Sequence, residues 1–362
     1  YQEGKPTVMI MKKRNRIFSL VMAGAMALSM TACGSEAASD NTGAAAGTDT
    51  NGAPATEQTA DAAGTSDGQK YTIGILQQLE HPALDAATQG FEDALTELLG
   101  ADNVTFDIQN AQGEQANCAT IANNFVASDY DLILANATTA LQCAAAATST
   151  IPILGTSVTD YATALEIDDW TGSTGRNISG TSDLAPLEEQ EAMIKELFPD
   201  AKTVGILYCS AEPNSKYQAT KIEEALDADG IAYKEYTASD SNDITSVVQN
   251  AVSEVDVIYI PTDNTMANNT ETINNITLPA GIPVIAGEEG ICSGCGVATL
   301  SISYYDIGYK AGQMAYDILV NGADITTMDI ETAPQVTKEY NADICAQLGI
   351  TVPDDYVAIE TE

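Results

Sequence analysis

Six acidic residues, Glu80, Asp160, Asp183, Glu212, Asp263 and Glu288, each stand where an apolar run gives way to a polar turn. Carboxylates at such places either cap the next helix or face a shared cleft. Beside Glu80 is His81, the only histidine in the chain. The pair could do acid–base chemistry, and Cys209 with His81 could form a nucleophile and its base. Against an enzyme, no Gly-x-Ser-x-Gly elbow, phosphate loop or metal-ligand spacing accompanies them. His81 directly precedes Pro82 and reads instead as the residue that orients the first helix. Cys292-Ser-Gly-Cys295 is the one close cysteine pair. Without a second pair or a nearby histidine it reads as a local disulfide or two unpaired thiols, not as zinc or redox chemistry. No metal and no cofactor are expected.

The elements around these residues alternate. Residues 71–76 form a short, β-branched apolar run, followed by a polar turn and an apolar repeat at helical spacing from Leu84 to Leu98. Strands are predicted at 104–108, 131–134 and 151–154, with helices between them, so the first half is a parallel sheet covered by helices. Ligands of such sheets collect at the carboxyl ends of the strands, where Gln77, Glu80, Thr138, Thr139, Ser157 and Asp160 fall. The hydroxyl-rich turns precede helices, and helix N-termini suit a carboxylate without arginine.

After residues 177–183 the alternation restarts, with strands at 204–208, 232–236, 255–260 and 283–286. Tyr208, Glu212, Asn214, Ser215, Asp263, Asn264 and Glu288 sit at or beyond these strands. Two doubly wound halves in tandem make a clamshell with its ligand in the cleft. A strand at 296–303 and a helix at 304–320 are expected to return to the first lobe, and a strand at 335–340 to the second. The expected fold class is therefore α/β, two doubly wound parallel-sheet lobes with three hinge crossings, the type I periplasmic-binding-protein arrangement. The lobes are assigned as 70–182 plus 296–321 and 183–295 plus 322–362.

Residues 1–32 read as an upstream stretch and a leader starting at Met11. Lys12, Lys13, Arg14 and Arg16 precede an apolar core too short to span a bilayer. Met-Thr-Ala-Cys33 closes that core like a bacterial lipobox, which implies lipidation of Cys33 and a membrane anchor. Residues 33–69 hold no aromatic residue and no aliphatic side chain larger than Ala, so they are read as a disordered tether. Removing the leader's five basic residues and one acid takes the formal charge from −38 to −42. Nucleic acid is excluded as a partner, because phosphate binding needs clustered Lys and Arg.

Several motifs in order carry a family resemblance: EHPALD at 80–85, NAQG at 110–113, SVTD at 157–160, NISGTSD at 177–183, YCSAEPNS at 208–215, PTDN at 261–264 and LGITVP at 348–353. Residues 71–353 thereby resemble bacterial ABC-transporter substrate-binding lipoproteins, including the TrpX-like tryptophan- and tyrosine-binding members. The resemblance implies capture of a small solute, an aromatic amino acid foremost, and delivery by a monomeric receptor to an ABC permease with its ATPase. A ligand-presenting receptor for a sensor kinase, and a branched-chain amino acid, other amine or nucleoside as ligand, stand as alternatives. Thr139 and Tyr161 depart from the family pattern beside the cleft. An amino acid needs acceptors for its ammonium and donors for its carboxylate; the six acids could supply the first and the hydroxyls and Asn214 the second. Tyr208, Tyr161 or Tyr304 could stack on the ligand. The four residues singled out, two from each half, are Glu80, Asp160, Asn214 and Asp263.

Overall fold

The computed structural model describes residues 68–333 and 335–359. The leader, Cys33 and nearly all of the tether lie outside the described residues. In the first lobe, β1 (Tyr71–Gln77), α1 (Pro82–Leu99), β2 (Val104–Asn110), α2 (Gln115–Ala127), β3 (Leu132–Asn136), α3 (Thr138–Ala147), β4 (Ile153–Val158), α4 (Tyr161–Leu165) and β5 (Ile178–Ser182) follow in order. Ile73, Ile75 and Leu76 of β1 are fully buried, as a strand covered on both faces requires. Pro82 opens α1, and Leu84, Ala87, Phe91 and Leu95 line its buried face.

The second lobe runs through α5 (Leu187–Leu197), β6 (Thr203–Cys209), α6 (Pro213–Asp229), β7 (Ala232–Ala238), α7 (Ile244–Ala251), β8 (Val257–Ile260), α8 (Asn264–Ala267), α9 (Thr270–Ala280), β9 (Val284–Ala286), α10 (Glu289–Cys295) and β10 (Ala298–Ser301). The chain then adds α11 (Tyr304–Leu319), β11 (Glu331–Thr332), β12 (Thr337–Tyr340), α12 (Ala342–Leu348) and β13 (Val357–Ala358). One sheet has the order β11-β5-β4-β3-β1-β2 and the other β13-β12-β10-β9-β8-β6-β7. Every pairing is parallel except β10 with β12.

The tail differs from its expected course. The strand assigned at 296–303 to the first lobe is β10, and it lies in the second sheet between β9 and β12. β9, α10 and β10 form a local crossover, and such consecutive strands pair with each other. Of that strand–helix pair only α11 crosses back, and it packs its Phe91- and Ala94-facing side on α1. The chain returns to the second sheet after β11, a two-residue edge strand beside β5 that the sequence did not announce. The lobe assignments for 296–303 and 322–332 are corrected accordingly. The helix α9 was also unforeseen, because only Ile273 and Thr277 of its residues are buried and no apolar stripe marks it. Cys292 and Cys295 are buried free thiols of α10 rather than a disulfide.

The α1–α11 crossing depends on glycine. A Cβ at Gly308 would stand 1.9 Å from the Ala87 carbonyl oxygen, and one at Gly90 would stand 2.1 Å from that of Tyr305. Backbone cannot yield as a side chain can, so Gly308→Ala should lower stability by about 2 kcal/mol despite alanine's better helix propensity. Urea unfolding of the two proteins measures this, and an unshifted midpoint would show that the helices can separate at no cost.

Candidate functional site

The carboxyl ends of both sheets meet around a small polar cavity. From the first lobe come His81 and Leu84 at the start of α1 and Ser157 at the end of β4. Ser157 holds a left-handed φ of 55° at an irregularity in the β4–β5 pairing. That conformation is costly for a residue with a side chain and is found where a site fixes it. The second lobe supplies Asn214, Thr262, Asp263, Asn264 and Glu288, and the crossings supply Asp183 and Tyr304.

Glu212, just before α6, organises the second lobe's contribution. Its carboxylate accepts from the Asn264 N–H (3.0 Å), the Asn264 amide (2.8 Å), the Thr265 N–H (2.8 Å) and the Thr265 hydroxyl (2.7 Å). Asp263 accepts from the backbone N–H of Cys209 (2.6 Å) and Met266 (2.8 Å), capping α8 and tying it to β6. Glu288 caps α10 through Gly290 (2.7 Å) and Ile291 (2.5 Å).

The lobes touch where His81 Nε2 lies 3.1 Å from Asn264 Oδ1. Because the Asn264 Nδ2 donates to Glu212, its Oδ1 must be the atom facing His81, and the imidazole must donate from Nε2. Burial lowers the His81 pKa, so the ring is neutral and has only that one N–H. Its Nδ1 is left as a bare acceptor. The hinge carries a second contact, Tyr304 donating its hydroxyl to Asp183 Oδ2 at 2.9 Å.

Four buried side-chain atoms lining this cavity have no protein partner: His81 Nδ1, Asp183 Oδ1, Asn214 Oδ1 and Ser157 Oγ. The Asn214 amide is oriented by donating to the Thr262 carbonyl at 3.1 Å, so its free atom is the oxygen. Three of the four are acceptors only, and unsatisfied buried acceptors are costly. Burial also pushes up Asp183, takes Glu288 to about 7 and takes Asp263 to about 8, the last with help from the Glu212 charge. No Lys or Arg lines the cavity. The arrangement calls for a cationic group with several N–H donors.

The cavity itself measures about 10 Å³. Glu288 and Tyr304 also border a groove of about 570 Å³ lined by Pro82, Ala83, Ala86 and Ile302. Gln78, Thr139, Glu212 and Thr265 border a third space of about 250 Å³ between the lobes.

Of the residues the sequence singled out, Ser157, Asp183, Asn214, Asp263, Asn264 and Glu288 come together here. Glu212 and Ser215 stand behind them, Ser215 accepting from the Asn214 amide at 3.3 Å. Thr138 is buried in the first turn of α3. Five others are elsewhere. Gln77 is turned into the first lobe, donating to Asp85 at 2.6 Å and accepting from Thr88 at 2.8 Å. Glu80 is exposed in the turn before α1. Asp160 caps α4 through Thr163 (2.7 Å), and Tyr208 donates to Glu235 (2.8 Å) on the neighbouring strand. Tyr161 is buried in the first lobe, bonded to the Thr181 carbonyl at 3.0 Å. His81 was read as a helix-orienting residue, yet its side chain makes no cap bond and reaches the other lobe. Its being the sole histidine, at a strand end, was the available signal.

A carboxyl whose folded pKa is raised holds its proton longer in the native state, so its contribution is intact below the unfolded value and is lost as pH rises. For Glu288 that window runs from about 4.5 to about 7. Glu288→Gln should therefore remove on the order of 3 kcal/mol of pH-dependent destabilisation across that window. Parallel stability–pH curves for the two proteins would refute the shift.

Comparison with known proteins places this geometry. Residues 72–362 match the family model for ABC transporter substrate binding protein. A tyrosine-binding protein of Clostridioides difficile is 34% identical over 326 residues, covering 88% of this chain and 89% of that one. The structure of an ABC domain in complex with L-Trp from Streptococcus pneumoniae superposes with a TM-score of 0.76 at 32% identity, over 79% of this chain and 97% of that one. A ligand-free, open substrate-binding protein with adhesive properties from Clostridium difficile gives 0.62 at 35% identity, over 81% and 100%. With two parallel-sheet lobes in the type I arrangement and a family model matched along the whole folded body, this chain belongs to the ABC transporter substrate-binding proteins, a family that binds solutes rather than transforming them.

Proposed function

We propose that the protein captures an aromatic amino acid, tyrosine or tryptophan, and seats the α-ammonium among His81 Nδ1, Asp183 Oδ1 and Asn214 Oδ1. The three unpartnered acceptors in one acidic interlobe cavity carry this reading. An ammonium has three N–H donors and the charge that the raised carboxyl pKa values call for. Ser157 is the one free hydroxyl, able to donate to the ligand's carboxylate. The groove of about 570 Å³ beside Glu288 and Tyr304, lined by Pro82, Ala83, Ala86 and Ile302 together with Glu289, Ser293 and Glu339, has room for an aromatic side chain. A tyrosine-binding relative at 34% identity and a relative bound to L-Trp at 32% identity favour the aromatic class.

Substrate-binding proteins of ABC transporters work outside the cytoplasm, and the proposed anchor here is a lipid on Cys33. The protein hands its solute to the membrane permease, whose ATPase drives import.

Calorimetry with L-tyrosine and L-tryptophan, set against their deaminated analogues, tests the ammonium seat. Loss of the amine should weaken binding by about 100-fold, and Asp183→Asn by at least tenfold, about 1.4 kcal/mol. Equal affinity for amine and deaminated analogue would remove the ammonium from the cavity. For the anchor, mass spectrometry of the membrane fraction should find a diacylglycerol-modified Cys33, and an unmodified protein cleaved elsewhere contradicts it.

A further inference from the structure

Outside the acidic cavity, in the first lobe, α2 and α3 pack through small residues, Ala119, Ala122, Ala140 and Ala144 among them. Each helix carries one cysteine in this seam. Cys118 Sγ lies 3.8 Å from the Thr139 carbonyl oxygen, and Cys143 Sγ lies 4.0 Å from that of Gln115. Helical side chains lean toward the N-terminus and cover the turn before their own Cα. Cys143 therefore covers the Thr139 turn and Cys118 the Gln115 turn. Each sulfur touches the turn that the other covers, which brings the two thiols side by side across the seam.

We propose that Cys118 and Cys143 are a dithiol that closes to a disulfide, fastening α2 to α3 when the protein meets an oxidising disulfide. Access is one-sided. Cys143, 7% exposed, lines a groove of about 460 Å³ with Gln115, Ala119 and Gln142, whereas Cys118 is 1% exposed behind it. The chemistry follows the same order. The Cys118 thiol directed at Cys143 lowers the pKa of Cys143, while that contact and burial raise Cys118. The Cys143 thiolate attacks a small disulfide, releasing one thiolate and leaving a mixed disulfide on Cys143. Cys118 then gives up its proton and attacks the Cys143 sulfur, expelling the second thiol. The protein dithiol is oxidised by two electrons and the small disulfide is reduced to two thiols. The remaining described cysteines lie in the second lobe and take no part.

The reduced full chain, incubated with oxidised glutathione at about pH 8 and then alkylated, is mapped without reduction. Expected are two glutathiones released per chain and linked peptides containing Cys118 and Cys143, lighter together by two hydrogens. Cys118→Ser should stop at a lasting glutathione adduct on Cys143. A lasting adduct on Cys143 in the parent protein, a link between other cysteines, or no reaction would overturn the proposal. The peptide map of the parent decides the question even if the variant folds poorly.

Discussion

The Glu212 carboxylate is the fixed point of the cleft. It collects two backbone N–H groups, one amide and one hydroxyl at 2.7 to 3.0 Å, all from the turn that opens α8. Charge-assisted hydrogen bonds of this kind are short and directional. Their first consequence is the orientation of Asn264, their second the proton position on His81, and their third the bare Nδ1 that faces the cavity. One acid on the second lobe thus sets the chemical character of a ring on the first.

Around this fixed point the acids divide their work. Glu288 spends both carboxyl oxygens on the α10 cap, and Asp263 spends one on the α8 cap and the other on the Cys209 N–H, so their charge reaches the cavity but their lone pairs largely do not. Asp183 is different. It stands on a crossing segment just after β5, keeps one oxygen free, and is held by Tyr304 on another crossing. A ligand that engages Asp183 therefore touches two of the three connections that relate the lobes. Binding energy spent there acts on the hinge itself, which is how a differential affinity shifts an open–closed equilibrium.

Much of the fold could be read from the sequence because strand, turn and helix signals were local. Pro82 at the first turn of α1 and the buried face of α11 are examples. The path of β10 could not be read so, since an isolated apolar run says nothing about which sheet edge will accept it. Among site residues, position at a strand end separated Asn214, Asp263 and Glu288 from the bulk acids. It did not separate them from Asp160, whose carboxyl finds its partner three residues on, or from Gln77, whose side chain leaves the strand on the α1 side. Which way a side chain turns, and whether a local donor claims it first, is settled by packing that sequence position does not encode.

The pairing of α1 with α11 has a consequence in time. The first lobe needs a helix that the ribosome makes only after the whole second-lobe sheet from β6 to β10. Until then Ala94 and the glycine notch at Gly90 lack the helix that covers them. The second lobe's parallel strands can assemble earlier, lacking only β12 and β13. Synthesis from the N-terminus thus leaves the lobe it began with incomplete until α11 and β11 emerge, and a chain halted short of Tyr304 would present an uncovered helix face to the folding machinery.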